Sequence, residues 1–403
     1  MQKNIQKNYK KIAENEIVKD VKEHQEIVKK LNIEDSVMYI PRQKSFVSLK
    51  DHKDNFVNDP KCRLLNPTKF EIAKVSKKIL TRVVDQLKVK TKLNLWKNND
   101  AVIDWFENLH DKKRLKFVSF DIVDYYGSIF FFDALIWAQN LVHISEDEIE
   151  TILKTSLLLD GRDFLGKKGD DNFDIQMDAW DSAESTDIVG LFLLSKVKNL
   201  KVNKQSVNSG KYRDDGLLVS RMTARNSDRF KKKLHELYGY YGLRLKIENC
   251  NVKIVNFLDI TLNLNRGTYH LYMKPNNILK YINSQSNHPQ ASVKNTVKNI
   301  SNRLSRNSAN EEIFNASVEP YKKSLSHSGY EQQLKYDKNA KNVTINPRRK
   351  RGRKITWYNP PFALNVKTNV GATFLQIIKE CFPSRHKLHK ICNKNILKLS
   401  QNN

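Results

Sequence analysis

Long apolar runs are missing from this 403-residue sequence. The longest, around Ser128–Trp137 and Ile188–Leu194, fall well short of the roughly 18 to 20 residues that cross a bilayer, so no membrane partner is expected. Cysteine is scarce too: four residues are too few for a disulfide framework. The basic start, MQKNIQKNYKK, lacks the apolar stretch of a secretory signal. A nuclear or cytoplasmic setting, on the reducing side of membranes, is expected. No internal repeat is visible. Acid is the scarce charge, with 44 Asp+Glu against 71 Lys+Arg and a net charge of +27. The 39% of apolar residues can nevertheless bury a core, which excludes a disordered polybasic tail. The length predicts a multi-lobed body or two to three domains.

The excess of positive charge is uneven. Residues 331–403 hold 16 Lys+Arg and 3 Asp+Glu. Their densest part, Arg348, Arg349, Lys350, Arg351, Arg353 and Lys354, reads as a nucleic-acid contact or a nuclear-import signal, with a solvated linker as the other reading. Such a surface names a polyanion but no chemistry.

Apolar spacing predicts a loose, exposed helix pair over the first 35 residues and a helix from Phe70 to Val89, followed by a short one over Ala101–Leu109. Lys116–Tyr126, KFVSFDIVDYY, reads as a strand carrying one carboxylate, Asp121. Helices are expected over Phe132–His143 and Glu146–Leu159, the second opened by a Ser145/Glu148 capping box. Asp170–Asp187 is acidic and Ile188–Val197 strongly apolar. Lys211–Ser220, KYRDDGLLVS, predicts two short strands around a turn at Asp214, Asp215 and Gly216. A basic helix over Asp228–Tyr238 comes next. Val252–Leu264 and Thr268–Met273 then form a hairpin turning at Asn265-Arg266-Gly267. A helical lobe follows, with Val293, Val297, Ile300 and Leu304 on one face and a capping box at Ser308 and Glu311.

The informative pair is FDIVDYY and YRDD, 93 residues apart. An isolated Asp-Asp-Gly is usually only a hairpin turn. Here it sits between apolar strands, and a second apolar strand carries Asp121 with an aromatic, Tyr126, five residues on. Two such strands side by side would gather Asp121, Asp214 and Asp215. Clustered carboxylates repel unless a multivalent cation lies between them. Hard oxygen ligands select Mg2+ or Mn2+, and two such ions serve phosphoryl transfer. The same pattern therefore points to nucleotidyl transfer.

These residues resemble motifs A and C of reverse transcriptases. The wider text resembles the Penelope-like retroelement branch: SLKDHKDNF at Ser48–Phe56, CRLLNP at Cys62–Pro67, NFLDITLNL at Asn256–Leu264, KPNNILKYINSQSNHP at Lys274–Pro289 and NPPFALNVKTNVG at Asn359–Gly371. The resemblance implies an α+β right-hand polymerase. It would have a charged helical extension (1–45), fingers (46–115), an antiparallel palm (116–285), a helical thumb (286–335) and a basic C-terminal region (336–403). Its implied activity is RNA-directed DNA synthesis, with an RNA template, a DNA or RNA primer and dNTPs as partners and two Mg2+ (or Mn2+) ions as cofactors.

Asp121 and Asp214 would be the principal metal ligands, assisted by Asp215. Tyr126 matches the steric gate against a ribose 2′-hydroxyl, with a packed core aromatic as the other reading. Lys50, Lys53 and Arg63 would hold the triphosphate, although any one of them could simply be solvated. Phe257, Leu258 and Asp259 resemble the primer grip, and Asn287-His288-Pro289 opens the thumb. The family's GIY-YIG nuclease has no counterpart before Asn403, so target cleavage is expected from elsewhere.

One segment departs from the pattern. Met177–Glu184 has no glycine where the family has several, and its carboxylates would face a polyanion, unless Asp181 and Glu184 serve a helix N-terminus instead. That departure motivates an alternative: an inactive copy that only binds nucleic acid. Cys381, His386, His389 and Cys392 have zinc-ligand chemistry but match no common finger, and zinc is not expected.

Overall fold

In the computed structural model the described residues are 71–123, 125–128, 131–153, 179–200, 208–274, 279–286, 288–342 and 370–389, with the short segments 9–11, 46–49, 62–65, 158–160, 163–167, 356–358 and 397–399 and residues 22, 25, 26, 29, 30 and 175. The chain forms two compact units, residues 1–258 with 263–267, and residues 259–262 with 268–403.

Among its described residues the first unit carries helices, a five-stranded sheet and two smaller sheets. Helix α1 (Glu71–Thr91) is followed by the two-residue strand β1 (Asn94–Leu95) and by α2 (Asn99–Glu107). Asn98 caps α2, its side chain accepting from the Ala101 N–H. Strand β2 (Lys116–Val123) leads through a helical turn at Tyr125–Ser128 to α3 (Phe131–Gln139) and α4 (Glu146–Leu153). Then come α5 (Ser182–Asn199), the hairpin β3 (Asn208–Tyr212) and β4 (Asp215–Ser220), α6 (Ala224–Tyr240), and strands β5 (Arg244–Val252) and β6 (Ile254–Phe257). The five-stranded sheet has the order β5-β2-β4-β3-β1. All its pairs are antiparallel except β1 with β3. Strand β2 lies inside the sheet, and KFVSFDIV is apolar enough to be buried on both faces. Its Val118, Phe120 and Ile122 join one core with Leu80, Val83, Phe131, Leu191, Leu218 and Leu234 from the surrounding elements.

Strands β7 (Ile260–Asn263) and β8 (Thr268–Leu271), which lie in the second unit except for Asn263, are hydrogen-bonded neighbours. Helices α7 (Gln290–Arg306), α8 (Glu311–Ser317) and α9 (Glu319–His327) follow. Val293, Val297, Ile300 and Leu304, the stripe expected from the sequence, pack with Phe314, Tyr321 and Leu325.

Several boundaries differ from the sequence reading. Tyr9–Lys11, in a stretch read as helical, is a strand paired with Leu165–Lys167; tertiary pairing overrides a weak helical pattern. Helix α4 is described over Glu146–Leu153, and Leu158–Asp160, read as entering its end, is a strand. The Ser145/Glu148 capping box forms in both directions, at 3.1 and 3.3 Å. The second box does not form: Asn310 caps α8 by accepting from Ile313 N at 3.0 Å, because the helix begins at Glu311 and Ser308 lies too far upstream. Val252–Leu264 is broken by a turn at Leu258, whose φ is +52°. Among the described residues no helix is long and apolar enough to cross a membrane.

Candidate active site

The two strands expected to lie side by side are direct neighbours. In the β2/β4 ladder Phe120 pairs with Gly216 and Asp121 with Asp215. Tyr212 closes the hairpin against Asp215, so the turn consists of Arg213 and Asp214 and the second carboxylate already starts β4. The Ile122 N–H donates to the Asp214 carbonyl at 3.1 Å, which ties the turn to the strand beside Asp121. Gly216 makes this register possible. A Cβ there would lie 2.1 Å from the Phe120 ring, which covers the glycine and meets Tyr238 edge-on at 5.5 Å. Gly216→Ala is therefore expected to destabilise by about 1–3 kcal/mol, read as a lower denaturant midpoint at unchanged slope. An unchanged midpoint would contradict the packing.

Like charges directly across an antiparallel pair repel, and the site carries that burden. Burial raises the Asp121 carboxyl, with Asp214 and Glu248 adding to the effect. Asp215 is pushed up to about 7 by burial first, then by Asp214, Asp121 and Glu248. Lys246 pairs with Asp121 on the other side of β2 and partly offsets the repulsion. Among the described residues no three His, Cys, Asp or Glu side chains are gathered tightly enough to cage an ion. An acidic set of this kind still suits Mg2+, which keeps several waters and takes one or two carboxylates together with substrate phosphates.

Two cations beside the carboxylates escaped the sequence reading. Lys211 is fully buried. Its Nζ donates to the Arg213 carbonyl and lies 4.1 Å from the centroid of the Tyr125 ring. Desolvation lowers it to about 7, against the pull of Asp214, Asp215, Asp121 and Asp187. Arg213 occupies the left-handed region, φ +52°, a conformation costing about 1 kcal/mol for a side-chain-bearing residue. Its guanidinium holds it there. Nη1 donates to Ala183 O and to Thr186 Oγ1, both at 2.8 Å, and stands 3.5 Å from Asp187. The YRDD turn is thus fastened to the first turns of α5.

Tyr126 stands in the helical turn after β2, not in the strand as read from the sequence, half-buried and packed edge-on against Tyr125 at 5.9 Å. Burial raises its hydroxyl, while nearby Arg213 and a hydrogen bond with the Thr186 side chain pull the other way. In the acidic segment before Gly190, Asp181, Glu184 and Asp187 have internal partners, and Asp170, Asp171, Asp174 and Asp178 lie outside the described residues. Ser76 Oγ donates to buried Asp181 at 2.5 Å, Lys77 pairs with Glu184 at 3.5 Å, and Asp187 faces Arg213. Asp181 stands at the N-cap position of α5, with no side-chain capping bond.

Lys50, Lys53 and the run Arg348, Arg349, Lys350, Arg351, Arg353 and Lys354 lie outside the described residues. Arg63 lies in a strand, Cys62–Leu65, opposite Ser48. Phe257 is buried and meets Trp96 edge-on at 5.4 Å. Asp259 pairs with Arg303 at 3.0 Å. Of the zinc-type residues, Cys381 ends a helix, Val370–Cys381. His389 bonds the Phe382 carbonyl at 2.7 Å, and Cys392 is outside the described residues.

No family model and no curated protein matches the chain. Solved structures similar to it include the telomerase of Candida albicans in complex with a fragment of telomeric RNA, at 10% identity and a TM-score of 0.48. The telomerase of Candida tropicalis in complex with such a fragment follows at 11% and 0.44, and the RNA-dependent RNA polymerase of a human picobirnavirus at 13% and 0.41. These likenesses cover 81%, 81% and 55% of this chain, which spans 55%, 56% and 44% of the respective proteins. They are likenesses of chain path and assign no residue a role.

Proposed function

We propose that the chain is an RNA-directed DNA polymerase of the Penelope-like kind, with the first unit as fingers and palm and the α7–α9 lobe as thumb. The observation that carries this reading is the register pairing Asp121 with Asp215 and leaving Asp214 in the two-residue turn between β3 and β4. Asp121 and Asp214, with Asp215 assisting, would hold Mg2+ or Mn2+. When bound, such ions lower the proton affinity of the primer 3′-hydroxyl and stabilise charge on the phosphates. The chain's own part is positioning. In the reaction the primer 3′-oxygen bonds to the α-phosphorus of a dNTP in line, the bond to the leaving pyrophosphate breaks, and the hydroxyl proton is released. Tyr126 would take the space a ribose 2′-hydroxyl needs, and Lys211 partly offsets the carboxylates.

The electrostatic objection is met at Asp181, Glu184 and Asp187, which have internal partners. The absence of glycine over 177–184 still motivates the reading as an inactive nucleic-acid binder. Primer extension on poly(rA)/oligo(dT) with Mg2+ or Mn2+ separates the two. Incorporation of dTTP supports the polymerase; salt-sensitive template binding without extension supports the binder. Import through the 348–354 run into the nucleus belongs to the polymerase reading.

Sugar choice tests Tyr126. Tyr126→Ala should raise the efficiency of ribonucleotide relative to deoxyribonucleotide incorporation by about 10- to 100-fold, as expected for removing one steric discriminator. Competitive UTP/dTTP incorporation measures it, and an unchanged ratio in an active variant sinks the assignment.

Metal binding can be read without turnover. A carboxyl raised as Asp215 is contributes stability fully below its unfolded pKa, and that contribution is lost as pH rises through about 7. Lys211, lowered to about 7, contributes stability above its unfolded pKa and loses it as pH falls through the same value. The two losses overlap around neutrality. Mg2+ should therefore raise Tm by a few degrees at pH 7.5–8 and by less at pH 5.5, where Asp215 holds a proton. Equal shifts at both pH values, at matched ionic strength, would place the ion elsewhere.

A further inference from the structure

A second polar site lies at the other end of β2. A cavity of about 380 Å³ opens between the turn at Asp111–Arg114 and the hairpin tip at Leu264–Gly267. Four cations line it, Lys112, Lys113, Arg114 and Arg266, against one carboxylate, Asp111. That carboxylate is already matched by Arg221 at 2.6 Å. Two lysines brace the walls: Lys112 Nζ donates to the carbonyls of Glu107 and Leu109 at 2.8 and 2.7 Å, and Lys253 Nζ to those of Lys113 and Leu115 at 2.5 and 2.7 Å. Opposite them, Asn263 Oδ1 accepts from the N–H groups of Asn265 and Arg266, and Gly267 takes φ +67°. The loop that presents Arg266 is thereby fixed. Among the described residues Lys113, Arg114 and Arg266 join no ion pair.

A preformed pocket with unmatched cations on two walls selects an anion with several acceptor oxygens. The incoming nucleotide is not that anion, because Lys116 and Asp121 are five residues apart on one strand, about 17 Å. We infer that this cavity grips the phosphodiester backbone of a nucleic-acid strand through Lys113, Arg114 and Arg266, with Lys112 and Lys253 as its braces. The inference goes beyond the polymerase reading and holds equally for a chain that binds without extending.

The test uses the full chain and a fluorescein-labelled single-stranded RNA in anisotropy titrations from 50 to 300 mM salt. Substituting Lys113→Gln, Arg114→Gln and Arg266→Gln together should weaken Kd about tenfold or more at 100 mM. The slope of log K against log salt should fall by about 2, as for losing three phosphate contacts on a single strand. A charge-matched control on exposed α6, Arg225→Gln, Arg229→Gln and Lys232→Gln, should move both far less; equal losses would reduce the effect to net charge and overturn the site. Acetylation of Lys113, followed by mass spectrometry, separates the ligand's sources. Protection by RNA but not by inorganic phosphate at the same ionic strength supports the strand grip. Equal protection by free phosphate overturns it in favour of a small-anion site, and protection by neither removes the pocket from binding altogether.

Discussion

Asp214→Asn should abolish primer extension, with a loss of about 10³-fold or more, while leaving Tm unchanged or slightly raised. The two halves of this expectation come from one fact, the crowding of like charge. Asp214 contributes to raising both Asp121 and Asp215, so deleting its charge relieves repulsion in the folded state. Asparagine has the same shape, and the main-chain bond from Ile122 to residue 214 is indifferent to the side chain. Activity answers to the opposite requirement. A cation held by fewer charges loses several kcal/mol of phosphate stabilisation, and each 1.36 kcal/mol is a factor of ten in rate. A purely structural Asp214 would instead lower Tm and spare the rate. Extension retained in Asp214→Asn, or lost only alongside the fold, would remove the carboxylates from the chemistry.

What the sequence made legible was whatever local pattern controls. Asp121 sits in an apolar strand and YRDD in a hairpin because alternation and turn chemistry act over a few residues, and the pairing of the two follows from their shared hydrophobicity. The α7 stripe was legible for the same reason. Lys211 was not. In GKYRDD a lysine reads as a solvated cation, and only the packing of Tyr125 and the neighbouring strands buries it. Arg213 was hidden likewise, since a left-handed arginine follows from its anchors at Ala183 and Thr186, some 30 residues away. The carboxylates of the glycine-free segment looked hostile to a polyanion because their partners on α1, Ser76 and Lys77, are more than 100 residues distant. Long-range partners decide charge, and one-dimensional text does not carry them.

Lys211→Met offers the sharpest test of what that buried charge is for. Methionine matches the stem and adapts to irregular space, so packing is retained and only the ammonium is removed. Were Lys211 a stabilising ion-pair partner, Tm should drop by many degrees. Its depressed pKa argues otherwise: four carboxylates pull the proton on, yet desolvation wins, so the charged form is worse off in the fold than in water. Tm should therefore change little. Function should respond, because Lys211 is among the cations holding Asp121 and Asp215 down. Without it both carboxyls rise further, protons compete better with the metal, and the pH of half-maximal extension moves up by about one unit. That amounts to roughly a tenfold loss at pH 7, recovered near pH 8.5. Lys211→Arg, which keeps the charge, should restore much of the profile if the wider guanidinium is accommodated. A large fall in Tm with an unshifted pH profile would make Lys211 a structural residue; a stable variant with an alkaline-shifted profile makes it the counter-charge that keeps the three aspartates ready for their cation.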